Sequence, residues 1–342
     1  MTYYKKYDEY KNINFIKDIH NKRINDAKYI FDNYNHKFIY RNCPICNNDN
    51  SNSFELFLDR YHICKCNICA SRYVNPVPSE EVLSVYYNKC ESVAMYTEQT
   101  KKINYDELYK DRNELIMKVL ALNSSETINI LEVGCNSGNF AIYMRNVLSK
   151  ANMKFNIYGI DVDSYSIQMA SEKTKNMDNI HFYNISANDI NKLNIKFDLI
   201  VAFDLIEHIV YTDEFMKNIF NALNHRGFVV LTCPNASGIT EICLPYSNEK
   251  KIISSAIYPP MHLNAFDTTN ILLFAYIHHF SLYYVDTNGK FDISILELCK
   301  NEINCEMIKC INKLDIQMKN FLQYYTKILL GSGYMRVILR KI

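Results

Sequence analysis

From about residue 127 onward the chain repeats one unit: an apolar run, a turn carrying Gly or Asp, and a stretch with apolar residues at helical spacing. The apolar runs fall at 128–133, 155–161, 179–184, 197–203 and 226–233, and amphipathic stretches near 139–150, 164–174 and 212–224 lie between them. Strands that alternate with helices assemble into a parallel sheet wrapped on both faces, so the expected fold class is α/β with a doubly wound sheet. In such sheets a ligand sits beyond the carboxyl ends of the strands, where the winding reverses. The turn after the first run therefore carries most of the functional weight.

A different constraint governs the first eighty residues. Cys43-Pro-Ile-Cys46 and Cys66-Asn-Ile-Cys69 form two C-x2-C pairs separated by 19 residues, a spacing that suits one tetrahedral zinc ion held by four thiolates. Phe54–Tyr61 can supply a short strand between the two knuckles, as in a zinc ribbon, and the metal would replace a core that so short a segment cannot build. Cys64 makes the second half C-x-C-x2-C, so either Cys64 or Cys66 can be the third ligand, with the x2 spacing favouring Cys66. The remaining cysteines, Cys90, Cys135, Cys233, Cys243, Cys299, Cys305 and Cys310, lack such pairing and read as small apolar residues. Residues 1–40 are Tyr-rich and polar, an arm that is loose or helical. The ribbon spans 41–78, and the two prolines of Asn75-Pro-Val-Pro78 suggest an extended link at its end. Residues 79–126 are a helical connector, with Ser79 as a helix cap and a second helix at 104–121, and 127–342 form the main domain.

Charge excludes some partners. Lys and Arg total 38 against 37 Asp and Glu, a net charge of +1, so no overall field draws the chain to nucleic acid or anionic membrane. No apolar run reaches the length of a membrane span, and the first residues carry no secretory signal. With 12 cysteines, this points to a reducing, cytoplasmic setting.

The first turn reads Glu132-Val-Gly134-Cys-Asn136-Ser-Gly138. It fails the G-x-G-x-x-G dinucleotide pattern, because positions 136 and 139 are Asn, but fits E/D-x-G-x-G-x-G with Asn136 in place of the middle glycine. Asn is among the residues that best tolerate the left-handed backbone glycine would take there. The second run ends in Asp161, a carboxylate placed to accept hydrogen bonds from vicinal ribose hydroxyls, with Asp163 as a helix cap. Downstream come Phe197-Asp-Leu-Ile-Val-Ala-Phe203-Asp204-Leu-Ile-Glu207-His208, then Gly227-Phe-Val-Val-Leu-Thr-Cys-Pro234-Asn235, then Tyr258-Pro-Pro-Met-His262-Leu-Asn-Ala-Phe266, and finally Tyr334–Lys341 as an antiparallel closing strand. In this order these segments resemble class I S-adenosylmethionine (SAM) dependent methyltransferases, and with the ribbon they resemble zinc-ribbon methyltransferases of sugar and surface-polysaccharide biosynthesis.

The resemblance implies a seven-stranded sheet whose last strand is antiparallel, SAM as cofactor, and a structural zinc ion in the ribbon. It implies SAM contacts from Glu132, Gly134, Asn136, Gly138, Asp161, Ser186 and Phe203; Ser186 stands where an acid often binds the adenine amine, and Phe203 equally suits the core. It implies methyl transfer to a hydroxyl or carbon of a small acceptor, a nucleotide-linked sugar among the candidates, with His262 and then His208 as the general base. Each histidine also has a structural reading, His208 orienting the following helix and His262 pinning a loop. Two further readings stay open: an RNA methyltransferase, which the neutral charge disfavours, and a non-catalytic binding protein, which the departures at Asn136, Ser186 and Arg226 motivate.

Overall fold

The computed structural model describes residues 13–342 except 50, 59, 101–104, 123–125, 244–255 and 300–303. Seven strands make the central sheet: β1 (Ile128–Val133), β2 (Phe155–Asp161), β3 (Ile180–Asn184), β4 (Phe197–Phe203), β5 (Leu223–Pro234), β6 (Phe280–Thr287) and β7 (Tyr334–Lys341). Their spatial order is 6-7-5-4-1-2-3, with β1 to β5 parallel and β7 inserted antiparallel between β5 and β6. The α/β doubly wound sheet and its antiparallel last strand therefore stand as the sequence led us to expect. β1 lies between β2 and β4, so the winding reverses at its edge, and the ends of β1 and β4 are where such sheets hold a ligand.

The strands alternate faces, and each face has its own core. Leu131, Val133, Ile200 and Ala202 point to one side with Phe215, Met216 and Ile219 from the helix Thr212–Ala222; Ile130, Leu199 and Val201 point to the other with Phe140, Met144 and Leu148 from the helix Asn139–Lys150. Burying each such large side chain contributes about 1.5–3 kcal/mol relative to leaving it in water. Covered on both faces, β4 must be apolar almost throughout, and its residues are buried up to the half-buried Phe203 at its carboxyl end.

The ribbon differs from the expected single strand and trailing link. Ser51–Phe57 and Tyr61–Cys66 form an antiparallel hairpin, Arg72–Val74 adds a third strand, and Val77–Pro78 pairs with Phe38–Ile39. Proline forbids helix but not short edge pairing, so the segment beyond Cys69 is paired rather than free. The helix Ile13–Tyr34 packs on the helices Glu80–Lys89 and Glu91–Thr100, and Ser79 caps the former by accepting from the Val82 backbone N–H.

The ribbon is also stitched to the main domain. The Val74 N–H donates to the Leu263 carbonyl (2.9 Å), and the Ala265 N–H donates to the Arg72 carbonyl (3.0 Å). The buried Arg41 guanidinium donates to the Val210 carbonyl (2.7 Å), to Asn264 Oδ1 (2.7 Å) and to the Leu263 carbonyl (3.2 Å). One other expectation shifts: β5 begins at Leu223 rather than 226, with a register shift before Phe228. Three helices, Asp292–Leu298, Glu306–Lys313 and Ile316–Ile328, lie between β6 and β7. Of the seven cysteines outside the two C-x2-C motifs, Cys310 is exposed and Cys305 half-buried, so the apolar reading fits the other five. Among the described residues no helix is long and apolar enough to cross a membrane.

Candidate active site

The bend after β1 is built from left-handed residues. Gly134, Asn136 and Gly138 have φ of +76°, +47° and +73°. A Cβ on Gly138 would stand 2.6 Å from Phe182 Cζ and 3.0 Å from the Ala170 Cβ, so close packing and backbone conformation both demand glycine there. Asn136 manages the same conformation with help from its own side chain, whose Oδ1 accepts from the Ser137 N–H at 2.6 Å.

Asp161 faces this bend. Its Oδ2 accepts from the Asn136 N–H and its Oδ1 from the Asp163 N–H, both at 2.9 Å, while Asp163 caps the next helix through the Tyr165 and Ser166 N–H groups. Burial raises the Asp161 pKa, against the two N–H donors that lower it. The carboxylate thus stands fixed at the end of β2, and each oxygen keeps a lone pair. Glu132 is buried within β1 with Oε2 unpartnered, and desolvation pushes its pKa up to about 8 despite the opposing pull of Arg112.

Arg112 itself was not anticipated. From the helix Tyr105–Leu120 it lays its guanidinium over the Phe203 ring at 4.3 Å and donates to Asp204 Oδ2 at 2.7 Å. Asp204 Oδ1 accepts from the Tyr334 hydroxyl (2.7 Å) and from Thr232 Oγ1 (3.1 Å), which joins the ends of β4, β5 and β7 at one carboxylate. Phe203 also packs edge-on against Phe140 at 5.0 Å. Ser186 is the cap of a short 3-10 turn, its Oγ accepting from the Asn188 N–H.

Just past Asp204 the chain turns and presents Glu207 and His208, and here the two candidate bases meet although 53 residues separate them in sequence. The rings of His208 and His262 stand edge to face with centroids 4.9 Å apart, and the ligand atoms of Glu207, His208 and His262 all lie within 4.8 Å of one another. The Met261 carbonyl lies 2.7 Å from His208 Nδ1 and can only accept, so Nδ1 carries the hydrogen and Nε2 keeps the lone pair of the neutral ring. Nε2 lies 4.0 Å from Glu207 Oε1. The hydroxyl of Tyr87, a residue that no motif singles out, lies 3.2 Å from the same Nδ1. Desolvation lowers the His208 pKa, opposed by the Met261 carbonyl and the negative charge of Asp204. Burial, and then Asp204, raise the Glu207 pKa well above its usual range, and its Oε2 has no partner.

The loop carrying His262 is held in place by the ribbon-side contacts. The Leu263 and Asn264 N–H groups donate to the Glu207 carbonyl, and Asn264 Nδ2 donates to the Ile206 and Ile209 carbonyls. In the ribbon, Cys43, Cys46, Cys66 and Cys69 converge, with Sγ–Sγ distances of 3.6 Å for Cys43–Cys69 and for Cys46–Cys66. Four sulfurs at about 2.3 Å from a tetrahedral zinc ion stand about 3.8 Å apart, close to these two separations, and all four Sγ atoms lie within 4.8 Å of one another. Cys64 lies outside it, 3.6 Å from the Asn75 carbonyl.

The strand order, the glycine-bearing bend and the acid facing it from β2 define a methyltransferase-type α/β fold with its ligand end at β1 and β4. Residues 105–279, just over half of the chain, match the family model described as a methyltransferase domain. The chain belongs to that methyltransferase family. No curated protein matches it by sequence. Among solved structures it is similar to the plantazolicin methyltransferase BamL in complex with a triazolic desmethylPZN analog and SAH, at 13% identity, with 75% of this chain and 93% of that chain covered and a TM-score of 0.51. It is also similar to the O-methyltransferase of a trans-AT PKS multienzyme of Brevibacillus brevis in complex with S-adenosyl-L-homocysteine (13% identity, 69% and 75% covered, TM-score 0.43). A third is the [4+2]-cyclase SpnF (15% identity, 67% and 80% covered, TM-score 0.44). At these identities the likeness concerns the fold.

Proposed function

We propose that this enzyme methylates a hydroxyl or carbon of a small acceptor, with SAM seated in the bend after β1 and the acceptor beside His208 and His262. The observation that carries the reading is the convergence of two chemistries at one end of the sheet: the bend with Asp161 at β1 and β2, and the paired imidazoles at the exit of β4. When bound, SAM supplies a methyl carbon made electrophilic by its sulfonium.

The chain's own residues suit that ligand. The unpartnered, buried Glu132 Oε2 matches a cationic amine, because a carboxyl held neutral by burial ionises when a positive charge arrives. Asp161 offers its remaining lone pairs to ribose hydroxyls. Gly134 and Gly138 give the bend its left-handed backbone, and Asn136 lines it between them. Phe203 and Ser186 are the apolar and hydroxyl groups closest to this role in sequence, Phe203 with its ring already held by Arg112 and Phe140.

Removal of the acceptor proton falls to His208 Nε2. The Met261 carbonyl holds the ring in the tautomer that leaves Nε2 basic, and Asp204 nearby stabilises the positive charge that the ring gains. His262, edge-on to His208, is the partner that positions the acceptor hydroxyl or takes the proton in its stead. The ribbon quartet suits structural zinc, which would cross-link the two knuckles beneath the loop bearing His262. A nucleotide-linked sugar is the acceptor we put first.

The test is to incubate the enzyme and methyl-labelled SAM with nucleotide sugars, lipid precursors and RNA. Label on a nucleotide sugar, lost in His208→Asn, supports the reading; label on RNA alone overturns the small-acceptor assignment.

A further inference from the structure

We infer that Arg23 forms an anion subsite that binds a phosphate or carboxylate group of the methyl acceptor, at a distance from the atom that is methylated. The inference rests on the methyltransferase reading above and adds to it the chemical class of the acceptor.

Arg23 comes from the helix Ile13–Tyr34, which lies against the turn that delivers His262. His20 on that helix places Nδ1 3.3 Å from the Tyr258 hydroxyl, with ring centroids 6.0 Å apart. Just short of one helical turn later, the Arg23 guanidinium stands 5.5 Å from the Tyr96 ring centroid and 6.0 Å from that of Tyr258. Among the described residues it makes no hydrogen bond and no ion pair, although it is half-buried. Nearby acids are committed elsewhere: Asp26 Oδ2 accepts from the Ser92 N–H at 2.8 Å, and Glu91 pairs with Lys22. A planar fork of five donors is thus held between two aromatic rings with its hydrogen-bonding edges unused, which is the arrangement that takes an oxyanion in bidentate fashion.

Its location ties it to the reacting groups. Tyr258 and His262 close the turn by exchanging backbone hydrogen bonds of 3.0 and 2.9 Å, a pairing that sets the two Cα atoms about 5.5 Å apart. The guanidinium therefore stands one ring and one residue pair away from His262. Its charge also reaches His208, where it opposes protonation of the ring. An anion bound at Arg23 would cancel that opposition as the acceptor arrives, which favours the proton transfer to His208.

Phosphate and carboxylate share this chemistry, and the probes separate them. The protein saturated with S-adenosylhomocysteine is titrated by calorimetry with inorganic pyrophosphate, glucuronate and glucose. The expected result is that one or both anions bind and glucose does not, that Arg23→Gln weakens anion binding about 10- to 100-fold with Arg23→Lys losing less, and that neither variant alters affinity for the homocysteine ligand. Pyrophosphate binding alone marks a phosphate site, and glucuronate binding alone a carboxylate site. Anions that bind Arg23→Gln as well as wild type, anions that fail to bind at all, or glucose binding as tightly as the anions would each overturn the subsite. Failure of S-adenosylhomocysteine itself to bind wild type is a separate outcome, which removes the methyltransferase reading and the subsite with it.

Discussion

Replacing Glu132 by Gln should change the pH dependence of stability in a direction set by burial. The Glu132 carboxyl in β1 is desolvated, and its pKa in the folded chain is pushed up to about 8 from 4.5. Folding therefore retains a proton that the unfolded chain releases above pH 4.5. The sign follows: this acid costs nothing below its unfolded pKa, and its penalty grows as pH rises, levelling off near pH 8. Between these limits the slope is about 1.4 kcal/mol per pH unit, which amounts to about 3 kcal/mol by pH 7. Gln removes the titration but leaves an amide where Oε2 had no partner, at a cost of about 1–3 kcal/mol. The net change at neutral pH is accordingly small, and the slope is the diagnostic quantity. Urea denaturation at pH 5.5, 6.5 and 7.5 should show the variant gaining on wild type by about 1.4 kcal/mol per unit. A second consequence concerns ligand binding: a cationic amine arriving at Oε2 should drive the proton off, so calorimetry near pH 7 in buffers of different ionisation enthalpy should register proton release in wild type and not in Glu132→Gln. A stability difference that does not move with pH would refute the argument.

Three other outcomes follow from the site. His208→Asn should lower turnover by about 10²- to 10⁴-fold with S-adenosylhomocysteine affinity unchanged, and because burial lowers the His208 pKa, the acid limb of wild-type kcat/KM should fall below pH 6.5. Gly138→Val combines a left-handed backbone with a Cβ 2.6 Å from Phe182 Cζ, so denaturation should report a loss of about 2–4 kcal/mol. Cys43→Ser should halve or abolish zinc content measured by elemental analysis and reduce activity through the loop bearing His262; full activity in a zinc-free variant would break the link between ribbon and site.

Much of this architecture was legible because it is written locally. The uninterrupted apolar run of β4 follows from burial on both faces, the bend after β1 from its glycines, and the cysteine quartet from spacing alone. The ribbon's other strands were hidden because their pairing partners, such as Phe38–Ile39 with Val77–Pro78, carry no periodic signal over two or three residues. The start of β5 was misplaced because the strand is irregular between Leu223 and Phe228, where Arg226 takes φ +62°, a left-handed position that no glycine marks. Within the site, Asp161, His208 and His262 were recognisable from motif context. Arg112, Thr232 and Tyr334, which converge on Asp204, come from three elements spread over more than two hundred residues and leave no mark in any one segment. Tyr87 was invisible for the same reason, since only the folded chain brings it to His208.

The most direct measurement is S-adenosylhomocysteine binding by calorimetry to wild type and Asp161→Ala, with circular dichroism as a check on folding. One equivalent should bind wild type, and the folded variant should bind about 10- to 100-fold more weakly, in line with the loss of hydrogen bonds to a charged acceptor. Wild type that takes up none of this ligand, or a variant that binds it equally well, would contradict the placement of the adenosyl group beside β2.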